Sequence, residues 1–358
     1  MQQKEMTTQP TLLVREKVAR QHIYKMTQKA NDNEVHFRPH FKTHQSPIIG
    51  EWFRDEGVNA ITVSSLSMAQ TFSQVGWHDI MMAVPFNPKK CDLINEFSSQ
   101  IKLHLITDSQ DSVQTLASYC VSQLTIWVEI DTGDHRTGIP WEDISTITKI
   151  IEFIDKTPQF NCGGIMTHAG HSYHARNVEE ISNIYCDSVN KVMNVQGQLL
   201  SKGYKVAISI GDTPSCATQK VFPGVDEIRP GNFVFFDIMQ TKIGSCTTEE
   251  IALAVSCPVI SKNRSRSEWI IHGGAVHLSK DYVTINGVPC FGKVALLQDK
   301  DWGSPLPRTV ITKLSQEHGV VQCDLEFFDQ VKIGDNIAVL PIHACLTMNL
   351  LKNTLQII

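Results

Sequence analysis

The chain has 358 residues, and 32 Lys and Arg against 37 Asp and Glu give it a formal net charge of -5. This length exceeds the usual size of one compact core, which favours one large barrel with an appended domain. The mildly acidic balance, without a basic block, argues against nucleic acid as a partner. A polar N-terminus and the lack of a long apolar run argue against a signal peptide and a membrane span, so we expect a soluble cytoplasmic protein.

From about residue 35 the sequence alternates short β-rich runs with longer helical patterns, which is typical of parallel strands joined by helices. The predicted strands are Val35–Phe41, Ala60–Val63, Asp79–Val84, Lys102–Ile106, Leu124–Asp131, Cys162–Thr167, Val206–Ile210 and Glu227–Phe236. Each of these except the last precedes a stretch that can form a helix. The pattern predicts an α/β fold with a closed (β/α)8 TIM-like barrel over residues 16–244, rather than an open doubly wound sheet.

Beyond residue 245 the pattern changes to strand-like runs separated by turn residues, with little helical periodicity. The predicted strands here are Ile251–Ile260, Glu268–Ile271, Tyr282–Ile285, Lys293–Leu297, Thr309–Leu314 and Asn336–Leu340. They predict a C-terminal mostly-β domain over residues 245–358. The strand-like segment at residues 10–15 is expected to pair with that domain.

Polar residues that close the barrel strands are the candidates for chemistry, because such barrels place their sites at the carboxyl ends of the strands. Lys42 follows the first strand. A lone lysine there is usually a solvated rim charge, but one among other cations can serve as a Schiff-base amine. The loops after strands seven and eight bind phosphate in such barrels, since free backbone N–H groups and helix N-termini favour an anion. The phosphate candidates are Gly211, Thr213, Gly231 and Asn232.

A candidate metal pair lies near the end of the chain. His343 and Cys345 stand two residues apart in a segment predicted to be extended, so both side chains would project to one side and could bind one metal. The spacing alone is weak evidence, because His-x-Cys strings arise by chance. Two protein ligands leave coordination positions open, which suits catalysis better than a closed structural site. Most of the ten cysteines are expected to be reduced, buried and inert.

Strings spread along nearly the whole chain resemble the D-threonine aldolase and eukaryotic-type D-serine dehydratase family, in that family's order. They are Arg38–His44, His168–Tyr173, Gly211–Pro214, Glu227–Asn232, Gly273–Asp281, Glu317–Gly319 and Pro341–Cys345. Such proteins have an alanine-racemase-like N-terminal barrel and a C-terminal β domain that supplies metal ligands. The resemblance implies pyridoxal 5'-phosphate as cofactor, a divalent metal, a small D-3-hydroxy amino acid as substrate, and a homodimer.

The same resemblance assigns roles around the cofactor. Lys42 forms the Schiff base, while His168 and Tyr173 belong to the cofactor pocket. Arg136 matches the arginine that approaches the phenolic oxygen in related racemases, and Arg229 matches the one that faces the pyridine nitrogen. Many hydroxy-amino-acid enzymes of the family have another residue in place of Arg229. The resemblance assigns phosphate binding to Thr213, Gly231 and Asn232, which were already candidates because they lie in the loops after strands seven and eight.

The resemblance also makes His343 and Cys345 the metal ligands. A thiolate favours zinc, with the harder manganese as the alternative. Ile342 stands where an asparagine is common, which could alter the surroundings of the metal.

The implied activity is that of a lyase, and several alternatives are open. Dehydration of D-serine or D-threo-3-hydroxyaspartate is favoured, because the His-Ala-Cys string is more similar to the dehydratase branch. A D-threonine aldolase, which yields glycine and an aldehyde, is the alternative. A racemase is disfavoured, since the Ser-Met-Asp context of the racemase tyrosine base is not found. A non-catalytic pyridoxal-phosphate carrier would not need the C-terminal domain.

Overall fold

The computed structural model describes residues 8–299 and 301–358, and the chain divides into two compact units. The barrel unit comprises Ile23–Lys42 and Ser46–Gly231. The β unit comprises Met1–His22, Thr43–Gln45 and Asn232–Ile358, within which residues 1–7 and 300 lie outside the described part. Among the described residues, no helix is long and apolar enough to cross a membrane.

The barrel unit is built on a parallel sheet. After strand β1 (Thr11–Val14) and helix α1 (Glu16–Asp32), the strands are β2 (His36–Phe37), β3 (Ala60–Val63), β4 (Asp79–Pro85), β5 (Lys102–Thr107), β6 (Leu124–Asp131), β7 (Ile139–Pro140), β8 (Phe160–Thr167), β9 (Ala207–Ile210) and β10 (Glu227–Ile228). The sheet order is β2-β10-β9-β8-β6-β5-β4-β3, and β7 pairs with β6. A parallel bridge between His40 and Thr62 joins the two ends. The predicted (β/α)8 barrel is therefore confirmed.

Helices separate most of the successive barrel strands, as right-handed crossover connections require. They are α2 (Pro47–Asp55), α3 (Leu66–Ser73), α4 (Cys91–Ser98), α5 (Gln110–Tyr119), α6 (Ile144–Asp155), α7 (Val178–Ser201) and α8 (Thr213–Thr218). Their first residues follow capping chemistry. Ser46 accepts a hydrogen bond from the N–H of Ile49 before α2, and Asp212 accepts one from Ser215 before α8. The second cap orders the loop after β9, where phosphate binding is predicted.

Two barrel strands are shorter than the sequence predicts. The predicted strand Val35–Phe41 pairs regularly only over β2, because Pro39 has no N–H to donate to a ladder. The predicted strand Glu227–Phe236 ends with β10, shortly before Pro230, and residues 232–234 form a 3-10 turn. Both strands therefore pass into loops at the carboxyl end of the barrel.

The β unit is mostly antiparallel sheet. Its further elements are α9 (Ile238–Ile243), β11 (Leu253–Asn263), β12 (Glu268–His272), α10 (Ala275–Leu278), β13 (Val283–Ile285), β14 (Val288–Cys290), β15 (Gly292–Gln298), β16 (Asp301–Leu314), β17 (His318–Gln322), α11 (Leu325–Phe328), β18 (Asn336–Pro341), α12 (Ala344–Leu351) and β19 (Gln356–Ile357). The main sheet has the order β12-β17-β16-β15-β18-β11-β1-β19, and β12 also pairs with β11, which closes it. The predicted mostly-β C-terminal domain is confirmed, and β1 pairs with its strand β11.

One element of the β unit corrects a sequence prediction that bears on the metal pair. The segment that contains Cys345 was predicted to be extended, but it forms helix α12. Strand β18 ends at Pro341, which cannot donate to a further ladder. The following run, Ala344–Leu351, contains one alanine, one methionine and three leucines, which favour a helix.

Candidate active site

The carboxyl ends of the barrel strands carry a concentration of positive charge. Lys42 follows β2 and is exposed, and its backbone N–H donates to Nδ1 of His40 at 3.3 Å. Arg229 follows β10 and is buried. Arg136 lies in the loop after β6 with 57% of its side chain exposed, and its ion partner Asp134 is 3.8 Å away. The sequence-predicted cations therefore lie at the predicted end of the barrel.

Two histidines within this region stay uncharged. Burial lowers the pKa of His168 to about 3, and the positive charges of Lys42 and Arg136 act in the same direction. Burial and the charge of Lys42 hold the pKa of His40 well below its ordinary value. Since neither imidazole gains a proton near neutral pH, the three cations dominate the local charge. An anionic ligand such as a phosphate or a carboxylate fits this environment.

The loop after β9 contains an unused hydrogen-bonding group. The hydroxyl oxygen Oγ1 of Thr213 is buried and has no hydrogen-bond partner among the described residues. The backbone N–H of Thr213 donates to the hydroxyl of Tyr173 at 3.2 Å, and His168 donates from Nδ1 to the carbonyl of Gly211. A buried hydroxyl without a partner costs free energy unless a ligand satisfies it. The predicted phosphate loop therefore fits the cofactor that the sequence implies.

Glycine at position 211 is required by close packing in the same loop. A Cβ atom there would lie 2.8 Å from the Cβ of Arg229. The guanidinium of Arg229 is in turn fixed by donation from Nε to Ser209 Oγ at 2.7 Å and from Nη2 to the carbonyl of Thr167 at 2.9 Å. The charge of Arg229 is thus held in place by the barrel itself, as a preorganised electrostatic contact requires.

Glu129, near the end of β6, was not selected from the sequence. Its side chain is buried, its Oε2 atom has no hydrogen-bond partner among the described residues, and burial raises its pKa. A glutamate near a strand end is usually an exposed rim charge, so the residue type alone gives no signal. Its burial makes it a further candidate for contact with a ligand.

The β unit holds the predicted metal pair. His343 is the N-cap residue of α12, and its Nδ1 atom lies 3.0 Å from Oδ2 of Asp281. Burial lowers the pKa of His343, but hydrogen bonding to Cys345, the charges of Cys345 and Asp237, and the hydrogen bond to Asp281 outweigh it and raise the pKa to about 10. Although Cys345 is helical rather than extended, the two predicted ligands are neighbours in space. A cation is favoured here, since the histidine is surrounded by anionic groups.

Cys345 also contacts two residues far away in the sequence. Its Sγ atom lies 3.4 Å from Oγ1 of Thr43, the residue that follows Lys42 in the chain. The amide nitrogen Nδ2 of Asn232 lies 3.7 Å from the same sulfur and donates to Asp237 at 2.6 Å. The other amide atom of Asn232, Oδ1, is buried without a hydrogen-bond partner among the described residues. Asn232, predicted with Gly231 for phosphate, is therefore placed beside the cysteine.

Ile342, which stands where an asparagine is common in the family, is fully buried in the apolar core of the β unit. The carboxylates near His343, Asp281 and Asp237, were not chosen from the sequence. Asp281 ends the string Gly273–Asp281 that resembles the family, but only its contact with His343 identifies it as a residue of the candidate metal site.

Comparisons with known proteins agree with both units. The alanine racemase N-terminal domain matches residues 17–238, and the putative serine dehydratase domain matches residues 252–357. A D-serine dehydratase from Dictyostelium discoideum is 30% identical, over 94% of this chain and 90% of its own. The chain belongs to the D-serine dehydratase family. The family comprises pyridoxal-phosphate-dependent lyases, so the chain is an enzyme of that class.

Other relatives place the chain within the D-serine dehydratase family. D-threo-3-hydroxyaspartate dehydratase from Delftia sp. (strain HT23) is 30% identical over 91% of this chain and 87% of its own. Its solved structure has a TM-score of 0.89 at 28% identity and covers 97% of this chain and 93% of that one. A cysteine-to-alanine variant of that enzyme has been solved in a metal-free form, which implies that the Delftia enzyme binds a metal. A D-threonine aldolase from Arthrobacter sp is 24% identical over 58% of this chain and 56% of its own.

Proposed function

We propose that the chain is a pyridoxal-phosphate- and zinc-dependent dehydratase that converts a D-3-hydroxy amino acid, of the D-serine or D-threo-3-hydroxyaspartate type, to a 2-oxo acid and ammonia. The observation that carries this proposal is the grouping of His343, Cys345 and Asp281 in the β unit. An imidazole that a carboxylate orients, next to a thiol, is a donor set for zinc. The two relatives at 30% identity are both dehydratases.

The barrel residues fit the cofactor. Lys42 supplies the amine that binds pyridoxal phosphate, and the unpartnered hydroxyl of Thr213 is available to a phosphate oxygen. Gly211, Gly231, His168 and Tyr173 complete the proposed pocket. When bound, pyridoxal phosphate supplies an electron sink for negative charge at the substrate Cα.

The cations of the barrel have separate proposed tasks. Nζ of Lys42 would accept the α-proton of the substrate. Arg229 is a permanent hydrogen-bond donor and is assigned to the pyridine nitrogen. Arg136 is assigned to the phenolic oxygen, and its exposed guanidinium can also attract the carboxylate of an incoming amino acid.

The β-unit residues provide the second half of the chemistry. Nε2 of His343 and Sγ of Cys345 are the proposed zinc donors, while Asp281 keeps the imidazole oriented through Nδ1. A divalent metal supplies a Lewis acid that makes the β-hydroxyl a better leaving group. Two protein donors leave coordination positions for that hydroxyl, as a catalytic zinc site requires.

We also propose a cytoplasmic homodimer in which the barrel domain spans residues 16–244 and residues 245–358, with strand 10–15, form the metal-binding domain. Light scattering tests the dimer. A mass near twice the 40.1 kDa of one chain supports it, and a mass near that of one chain across a wide concentration range contradicts it.

An aldolase is the second candidate, because the family also includes a D-threonine aldolase. Both reactions would need the same electron sink and Lewis acid, so the products decide between them. The purified enzyme is incubated with D-serine, D-threonine and D-threo-3-hydroxyaspartate, with Lys42→Ala as the inactive control. Ammonia and a 2-oxo acid are expected, whereas glycine and an aldehyde would identify an aldolase.

A further inference from the structure

A second group of metal-type donors lies in the β unit, apart from the His343 and Cys345 pair. His272, His277 and Glu317 each offer one donor atom, and all three atoms lie within 4.8 Å of one another. The Nε2 atoms of His272 and His277 lie 3.8 Å and 3.9 Å from Oε2 of Glu317. We propose that this group, called here the His-His-Glu site, binds a second zinc ion in each chain. The proposal does not depend on the function proposed above.

The backbone is built to bring these donors together. The N–H of Gly273, which follows His272, donates to the carbonyl of Glu317 at 2.9 Å. A Cβ atom on Gly274 would lie 2.3 Å from the carbonyl oxygen of Gln316. The backbone at Gly274 therefore lies closer to the backbone at Gln316 than a residue with a side chain at position 274 would permit. Because glycine allows this approach, the donors from β12, α10 and the turn before β17 face one another.

The donor set suits zinc in number and chemistry. Two imidazoles and one carboxylate form a recurrent catalytic zinc set, with bonds of roughly 2.0–2.2 Å and a further position for water or a ligand. Donor atoms in such a tetrahedral set lie about 3.4 Å apart, so the present separations close by small side-chain rotations. The side chains of His272 and Glu317 are 34% and 45% exposed, which gives them room to rotate and gives the ion a route of entry.

The contacts of His277 define what must change when zinc binds. The Nε2 atom of His277 lies 3.9 Å from Oε2 of Glu317, on the side of the ring that faces the other donors. Its Nδ1 atom lies 3.2 Å from the N–H of Gly274. Zinc at Nε2 requires the remaining proton on Nδ1, so binding opens this contact. The separation of the two rings, 5.3 Å between centroids at 87°, leaves both Nε2 atoms directed towards Glu317.

The two proposed sites differ in donor chemistry, and this difference makes the test possible. The pair in α12 includes the sulfur of Cys345, whereas the His-His-Glu site has only nitrogen and oxygen donors. Cobalt, used as a substitute for zinc, gives an intense thiolate charge-transfer band only at a site with sulfur. At the His-His-Glu site it gives only weak d–d bands.

The experiment measures metal per chain in the cofactor-loaded enzyme after stripping, reloading with zinc and dialysis. We expect two zinc ions in the wild type, one in the His343→Ala/Cys345→Ala double variant, and none when His272→Gln is added. Cobalt in the double variant should give the weak bands without the charge-transfer band. His318→Gln, which removes an exposed imidazole from the neighbouring strand position, is the matched control and should keep both ions.

A double variant that holds no metal while the wild type holds one ion would overturn the His-His-Glu site and leave the proposed function intact. Conversely, an inactive enzyme that still loses one ion with His272→Gln supports the site independently of the function. If His272→Gln does not fold, as judged by circular dichroism, Glu317→Gln provides the measurement. We expect it to weaken zinc binding in the double-variant background by more than about tenfold, and unchanged binding contradicts the proposal.

Discussion

Nδ1 of His343 lies 3.0 Å from Oδ2 of Asp281, and this contact selects the nitrogen that is available to a metal. The proton shared with the carboxylate stays on Nδ1, so Nε2 is the nitrogen that would give up its proton to a metal and become the donor. Carboxylates that contact a metal-bound histidine in this way fix the ring and strengthen it as a donor. Asp281 thus belongs to the proposed zinc centre although it is 62 residues away from His343 in the sequence.

Asp281→Ala should weaken zinc binding at the α12 pair by about 10–100-fold, because His343 loses the partner that fixes its tautomer. Dehydratase turnover at limiting zinc should fall accordingly and recover in excess zinc. The measurement is a zinc titration against a competing chelator in the Glu317→Gln background, which removes the second site. Asp329→Ala, an exposed carboxylate of the same unit, is the control. Equal zinc affinity in the Asp281 variant and its parent would exclude the orienting role.

Lys42→Ala should abolish activity and the visible absorbance of the lysine-bound cofactor. Gly211, Thr213 and Gly231, which are proposed to hold the phosphate, remain in the variant, so the cofactor should still bind through its phosphate group, without a covalent bond. Borohydride reduction followed by peptide mass mapping checks the assignment. In the wild type the reduced adduct is expected on Lys42, and Lys220→Ala should leave it there. An adduct on another lysine in Lys42→Ala would show that the wrong residue has been identified.

Glu227→Gln tests a buried ionic network in the barrel. Oε2 of Glu227 accepts a hydrogen bond from Nε of Arg38 at 2.7 Å, and Oε1 accepts one from Ser209 at 2.7 Å. The substitution keeps the shape but removes one of the two negative partners of Arg38, which still pairs with Asp79, and we expect the loss of about 1.5–3 kcal/mol of unfolding free energy. Urea unfolding of the cofactor-free protein measures it. Glu152→Gln, which breaks an exposed pair with Lys156, should change little.

The sequence predicted the barrel and several site residues because both depend on local patterns. Alternating strands and helices indicate the barrel, and the position of Lys42 at a strand end selects it before any contact is known, whereas Arg229 was selected only by the family resemblance. The pair His343 and Cys345 was recognised by its spacing and its family-like string, although its helical conformation was not. A strand ending at Pro341 was foreseeable, but the helix after it depends on burial of its apolar side.

Long-range contacts supplied what the sequence could not. The sulfur of Cys345 meets Thr43 across 302 positions of the chain. Glu129 differs from an ordinary rim glutamate only through its burial. Neither the contact of Cys345 with Thr43 nor the burial of Glu129 produces a periodicity or a motif in the sequence. Both arise only when the complete fold brings distant segments together.

His168→Asn should reduce the sensitivity of the protein to acid. In the folded protein the pKa of His168 is lowered to about 3 from 6.5. Below 6.5 the unfolded chain therefore binds a proton that the folded protein does not, and stability is lost as the pH falls towards 3. Asparagine removes this contribution, so unfolding free energies of the cofactor-free variant should fall less steeply over that interval. Urea unfolding across a pH series measures it, with the exposed His318→Asn as control. An unchanged slope would contradict the buried neutral state.

Cys345→Ala should separate activity from colour. The variant loses one of two proposed zinc donors, so β-elimination should stop, while the cofactor on Lys42 and its visible band should persist because other residues hold it. D-Amino acids should still shift that band. Cys345→Asp refines the test, since a carboxylate is a harder ligand than a thiolate and should move the preferred metal from zinc towards manganese. Activity of metal-stripped Cys345→Asp is measured after reloading with each ion. Wild-type turnover in Cys345→Ala would show that Cys345 is an ordinary thiol beside Thr43, and a racemase would again have to be considered.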